Sequence, residues 1–137
     1  MKKILFILTA LFIFSCTPDD SPRYHYVILP VESFEVPETV QTGQVYPIKV
    51  TYKRPTTCHV FEGFYYDIYY ELRTVGVQNI VVDRNDCVAT DPDEAPIVKS
   101  FDFSPMQMAP YTYVFRFYKG KDENGNNIFE EVEIPVE

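Results

Sequence analysis

Chemistry in this 137-residue chain has to come from few side chains: two histidines, three cysteines, 20 acidic residues and 11 tyrosines. A hydrolytic triad would need His25 or His59 beside a carboxylate and a serine, and nothing in the spacing asks for that. No phosphate-binding glycine loop, G-x-S-x-G elbow or H-E-x-x-H is present. Carboxylate pairs such as Asp91 with Asp93, or Glu130 with Glu131, fall in loops and at strand ends, where they read as solvated charge. The chain is therefore not expected to be an enzyme. Hard oxygen ligands suited to calcium cluster at Asp83, Asn85 and Asp86, at Asp91, Asp93 and Glu94, and at Asp122, Glu123 and Asn124. None has the spacing of the twelve-residue calcium loop, and loops kept polar for solubility are the plainer reading, so neither a metal nor a cofactor is expected. Tyr65, Tyr69 and Tyr118 lie opposite their strands' apolar faces or on a turn, which makes them the candidate binding surface. Such tyrosines suit stacking on sugar rings or anchoring a protein partner, unless cross-strand pairing on an outer sheet face occupies them. The 12 basic residues against 20 acidic ones exclude a nucleic-acid partner, which needs clustered Lys and Arg.

The N-terminus carries its own chemistry. Lys2 and Lys3 precede an apolar run from Ile4 to Phe14, broken only by Thr9 and ending at Ser15-Cys16. The run is too short for a transmembrane helix and has the layout of a secretory signal peptide. Ile13-Phe14-Ser15-Cys16 resembles the lipobox of bacterial lipoproteins. That resemblance implies cleavage after residue 15, a thioether-linked diacylglycerol on Cys16 and a membrane partner held through the lipid. Residues 16–23 then form the lipidated cysteine and a polar, proline-containing tether, and residues 24–137 the folded domain. Asp19 and Asp20 resemble the surface-export signal of lipoproteins from the Bacteroidota; the implied location is the outer membrane, leaning to its outer face. Cleavage removes two lysines and no acid, so the mature chain is more acidic than the net −8 of the whole, and the lipid rather than charge must hold it at an anionic surface.

With Cys16 given to lipid on that resemblance, Cys58 and Cys87 are an even remainder in an oxidising compartment, and a disulfide is expected. The rival, a metal site from Cys58, His59, Asp86 and Cys87, lacks the paired spacing that would gather four ligands. A Cys58 nucleophile using His59 fails because neighbours on a strand point to opposite faces.

The elements that must position these residues read as strands. Ile48, Val50 and Tyr52 alternate with polar partners from Tyr46 onward, and Tyr111, Tyr113, Phe115 and Phe117 do the same. A Gly- and Asn-rich loop after Lys119 turns the chain back through Ile128, Val132, Ile134 and Val136. Val27, Leu29 and Val31 share one parity, while Phe34 and Val36 take the other, with Pro30 at the switch, the pattern of an edge strand crossing between two sheets. Even positions from Val60 to Leu72 are apolar apart from Glu62, over a length that requires a turn near Asp67–Glu71. Broken alternation at Ile80-Val81-Val82 points to burial on both faces or to a bulge near Gln78-Asn79.

Strands at this spacing indicate a sandwich or barrel. Val36-Pro37, Val40, Gly43 and Tyr46-x-Ile48-x-Val50-x-Tyr52 look like the A′–B region of bacterial immunoglobulin-like domains, and Ala109-Pro110-Tyr111-Thr112-Tyr113-Val114-Phe115 looks like the start of their F strand. The resemblance implies an all-β fold, an immunoglobulin-like antiparallel β-sandwich of about seven strands, with Tyr111 as a corner tyrosine bonded to the preceding loop. The absence of tryptophan and the close cysteine spacing depart from the antibody pattern, so the bridge joins different strands. The expected role is non-catalytic: protein binding or envelope assembly from a lipid anchor, with glycan capture on exposed tyrosines as the alternative.

Overall fold

The computed structural model describes residues 23–137. They contain eight strands and no helix: β1 (Tyr24–Leu29), β2 (Ser33–Glu35), β3 (Tyr46–Tyr52), β4 (His59–Tyr69), β5 (Leu72–Val82), β6 (Ile97–Phe103), β7 (Tyr111–Lys121) and β8 (Asn127–Val136). A five-stranded sheet holds β1, β4, β5, β7 and β8, and a three-stranded sheet runs β2-β3-β6. The two form a β-sandwich whose core is built from the inward parity of each strand. Ile48, Val50 and Tyr52 of β3 are buried with Val75 and Val77 of β5, Tyr113, Phe115 and Phe117 of β7 and Ile134 of β8. Phe34 of β2 stacks on Phe117 with centroids 3.9 Å apart, and Phe103 of β6 meets Tyr113 and Phe115 edge-on at 5.0 Å.

The crossing at Pro30 is present. Proline has no N–H to donate to either sheet, so the ladder breaks there. On its far side Val31 donates its N–H to Tyr118 O in the larger sheet at 2.7 Å, and Glu32 donates to Thr51 O in the smaller one at 2.8 Å. One apolar segment thus serves both sheets and counts as two strands, which raises seven to eight. The sheets also depart from wholly antiparallel pairing. One edge of β5 is lined by β4; the other is shared between β1, antiparallel over Val77–Val82, and β7, parallel over Leu72–Val75. Because β1 covers only half of that edge, its remaining backbone groups are met by β7, which follows β6 of the smaller sheet and runs parallel to β5.

The turn lies at Tyr70–Glu71, with Tyr70 at φ 52°, a left-handed conformation unfavourable for a side chain of that size. The bulge falls in β4, between Phe61 and Gly63, directly opposite Asn79 and Gln78. It accounts for Glu62: the extra residue shifts parity, so Phe61 packs towards Tyr52 while Glu62 points outward and accepts a hydrogen bond from Gln78 at 2.7 Å. Opposite Tyr65 stands Gly76, where a Cβ would lie 2.5 Å from Ile28 Cγ2, so glycine is what lets β1 lie flat against β5.

Cys58 and Cys87 are bonded, with sulfurs 2.02 Å apart and Cα atoms 5.4 Å apart. The bridge pins the start of β4 to the 83–96 loop, beside backbone hydrogen bonds from Thr57 N to Val88 O and Thr90 N to Pro55 O. Arg23 O accepts from Asp83 N at the same end of β5. The Tyr70–Glu71 turn is at the other end, about 33 Å away along an eleven-residue strand. The described core side chains, both sheets and the disulfide lie within residues 23–137.

Candidate functional site

β4 and β5 extend past the smaller sheet, and what they carry there is uncovered. Beyond Tyr66 the hairpin presents Ile68, Tyr69 and Tyr70, which are 60%, 64% and 76% exposed. Three large apolar or aromatic residues in a row at a turn lose free energy in water, and the left-handed Tyr70 adds a cost of about 1–2 kcal/mol. Folding alone does not call for either feature.

At the base of this hairpin lies a cavity of about 570 Å³. Its walls are Phe64, Tyr66 and Ile68 of β4, Phe101 and Phe103 of β6, and the 104–107 connector with the exposed Met106. The volume is in the range of a small-molecule site, and the lining is mainly apolar. Polar groups line it as well, Arg73 and Tyr113 among them. Arg73 packs its guanidinium 4.9 Å above the Tyr113 ring and donates through Nη1 to Tyr70 O at 2.6 Å and Leu72 O at 2.9 Å, bracing the turn. Tyr113, 1% exposed, accepts the backbone N–H groups of Met106 and Gln107 at 3.0 and 3.1 Å. Burial raises the Tyr66 phenol above its usual 10.0, against an opposing pull from Arg73, so this hydroxyl stays protonated at neutral pH.

The hydrogen bonds of Tyr113 correct one expectation: the tyrosine that ties down the connector is Tyr113, not Tyr111. Tyr111 packs edge-on against Tyr113 at 4.9 Å instead. Residue 113 has the inward parity fully buried beside the connector, and so holds the corner.

Tyr65 and Tyr118 do share a face, on either side of Gly76, both outward from the larger sheet. They are not equivalent. Tyr65 is 43% exposed, whereas Tyr118 lies half-buried against its register partner Phe129, centroids 6.0 Å apart, the cross-strand pairing that competes with a binding role. Tyr69 stands at the turn, in edge contact with Tyr70 at 4.7 Å, away from the other two. Asp83, Asn85 and Asp86 do not converge. Asp83 faces His25 at 3.3 Å, and Asp86 is bound by Arg84, whose guanidinium holds its carboxyl below the usual range. Asp122 accepts the N–H groups of Asn124 and Asn126 within its own loop, and hydrogen bonding to Asn126 lowers its pKa. Among the described residues no group of three or more His, Cys, Asp or Glu side chains is placed to hold a metal. With both sulfurs in the bridge, the Cys58/His59/Asp86/Cys87 site is ruled out. His59 instead contacts Thr56 Oγ1 at 2.9 Å, and burial lowers its pKa. Cys16, with the expected signal peptide and most of the expected tether, lies outside the described residues.

Set against known protein families, curated proteins and solved structures, the chain matches none.

The cavity was not among the expected sites, because Phe64, Tyr66 and Ile68 have the parity of core residues. Two signals in the sequence mark it: β4 carries more inward aromatics than a seven-residue opposing strand can cover, and Met106 and Met108 sit in a connector that polar residues usually fill.

Proposed function

We propose that the chain is a non-catalytic, lipid-anchored binding protein of a bacterial outer membrane, built on an immunoglobulin-like sandwich, whose recognition surface is the end of the domain away from the anchor. The observation that carries this is the run Ile68-Tyr69-Tyr70, exposed on a hairpin turn at the opposite end of β5 from Arg23, where the tether joins. Aromatic residues raised on a rigid ribbon make good anchors for a protein partner, since they bring large contact area at small entropic cost. Their position follows from the anchor: a lipid on Cys16 sets the disulfide end near the membrane and the hairpin outward. A photo-crosslinking amino acid at position 69 should give a discrete, protease-sensitive adduct on intact cells. One at position 123, in the β7–β8 loop near the anchor end, should give none. Equal labelling at both positions refutes the reading. Loss of membrane association in Cys16→Ser tests the anchor.

A second reading, glycan capture on the outward face, is favoured by Tyr65 beside the hydrogen-bonded Gln78–Glu62 pair, an aromatic plane with polar groups at its edge. It predicts that Tyr65→Ala abolishes glycan-array signal with the fold intact.

A further inference from the structure

The cavity behind the hairpin has a polarity of its own. Its body is apolar, and of its polar lining Arg73, Tyr66 and Tyr113 can donate hydrogen bonds, while Ser104 and Gln107 of the connector can donate or accept. Arg73 is the basic side chain lining the cavity and pairs with no carboxylate among the described residues. Tyr113 is the more telling group. Its buried hydroxyl oxygen already accepts two backbone N–H groups, and its proton has no acceptor among the described residues. A buried donor without an acceptor costs free energy unless a ligand supplies the acceptor. Asp102 is the one acidic residue at the site; it is exposed on the rim, on the opposite parity from Phe101 and Phe103.

We propose that this cavity binds a long-chain fatty acid, its carboxylate on Arg73 and the Tyr113 hydroxyl, its hydrocarbon chain along Phe64, Phe101, Ile68 and Met106. The inference extends the reading of this end of the domain as a binding surface and adds a small-molecule ligand to it. An anion with a polar body would leave the aromatic walls unused, and a neutral hydrocarbon would leave the Arg73 guanidinium, whose Nη1 is held by Tyr70 O and Leu72 O, without a counter-charge. Methionine at the wall suits a flexible acyl chain, since its unbranched side chain adapts to an irregular surface.

The test uses the full chain with Cys16→Ser and palmitate enriched with carbon-13 at the carboxyl carbon. Titration should show saturable binding at one equivalent with a shifted carboxyl resonance. Palmitic acid methyl ester should bind at least tenfold more weakly, as should palmitate to Arg73→Gln, since a charge-assisted hydrogen bond is lost in each case. Arg73→Lys should recover part of the affinity. The ester comparison needs no change at Arg73 and so stands even if Arg73→Gln fails to fold. Ester and acid binding equally well overturns the proposal, as does tighter binding of a peptide through its C-terminal carboxylate with displacement of palmitate. Absence of palmitate binding, with the position-69 adduct still formed on cells, removes the ligand and leaves the partner surface standing. Palmitate binding without that adduct does the reverse.

Discussion

Cutting the Cys58–Cys87 bridge should cost about 3.6 kcal/mol, from the loop-closure entropy of a cross-link between cysteines 29 residues apart. The variant matters. Cys58 is 3% exposed, so serine there would bury a hydroxyl, whereas Cys87 is exposed and tolerates one; Cys58→Ala with Cys87→Ser isolates the cross-link best. Unfolding entropy of about 2.1 cal/mol/K per residue over this domain converts the loss to a melting temperature lower by about 15 °C. Guanidinium unfolding of the oxidised wild type, the reduced wild type and the double variant gives three curves, of which the last two should coincide. The bridge lies at the tether end, a full strand length from Arg73, so palmitate affinity of the folded variant should be unchanged. A loss below about 1 kcal/mol would refute the entropic reasoning. It would mean that the hydrogen bonds from Thr57 to Val88 and from Thr90 to Pro55 already hold the 83–96 loop when the chain is unfolded. A loss accompanied by weaker palmitate binding would refute the separation of the two ends.

Gly76→Ala puts a methyl group 2.5 Å from Ile28 Cγ2 and should destabilise by about 1–3 kcal/mol; in an Ile28→Ala background the same change should cost much less, a coupling that a double-mutant cycle in urea reads directly. Asn79 is fully buried and makes no well-formed hydrogen bond, with the Tyr52 hydroxyl its nearest polar partner, so Asn79→Leu combined with Tyr52→Phe should raise stability by about 1 kcal/mol, measured by the same unfolding curves. Burial holds the His59 pKa below 6.5, so the unfolded chain takes up a proton that the native chain resists as pH falls through that value. Stability should therefore drop from pH 7 towards pH 5.5, and His59→Gln should flatten that part of the melting profile.

The parts of this fold that were legible in the sequence are those that depend on which way a side chain points. Period-two runs marked β3, β7 and β8, the parity change at Pro30 marked the crossing between sheets, and the excess length of the Val60–Leu72 run marked the turn at Tyr70–Glu71. The paired cysteines were legible through chemistry rather than geometry. What was not legible depends on how far one element extends over another. Parallel pairing of β5 with β7 arises because β1 is only six residues long and leaves half an edge open, a fact that no residue of β5 or β7 encodes. The bulge at Phe61–Gly63 shows in the sequence only as an anomaly at Glu62 and as the broken alternation opposite, which fits burial on both faces or a bulge near Gln78-Asn79 equally and does not say which strand carries the extra residue.

The same distinction explains why the tyrosines singled out by parity are a mixed set. Outward parity identifies residues that are free to bind only when no neighbour on the same face covers them, and Phe129 covers Tyr118. Inward parity identifies core only while an opposing layer exists, and that layer ends at Phe103, before β4 and β5 do. Past that point an inward aromatic ceases to be core and becomes the wall of a cavity. Phe64, Tyr66 and Ile68 therefore change role along a single strand without any change of pattern, from residues packed against Phe101 to residues facing open volume beside Arg73. The structure places three exposed apolar residues, a left-handed Tyr70 and an apolar cavity holding the Arg73 charge together at that boundary. Covering the exposed apolar residues and pairing that charge would both be favourable on binding. That concentration, at the end of β5 farthest from Arg23, is the physical reason for assigning recognition to the hairpin and the cavity rather than to the tyrosines of the open face.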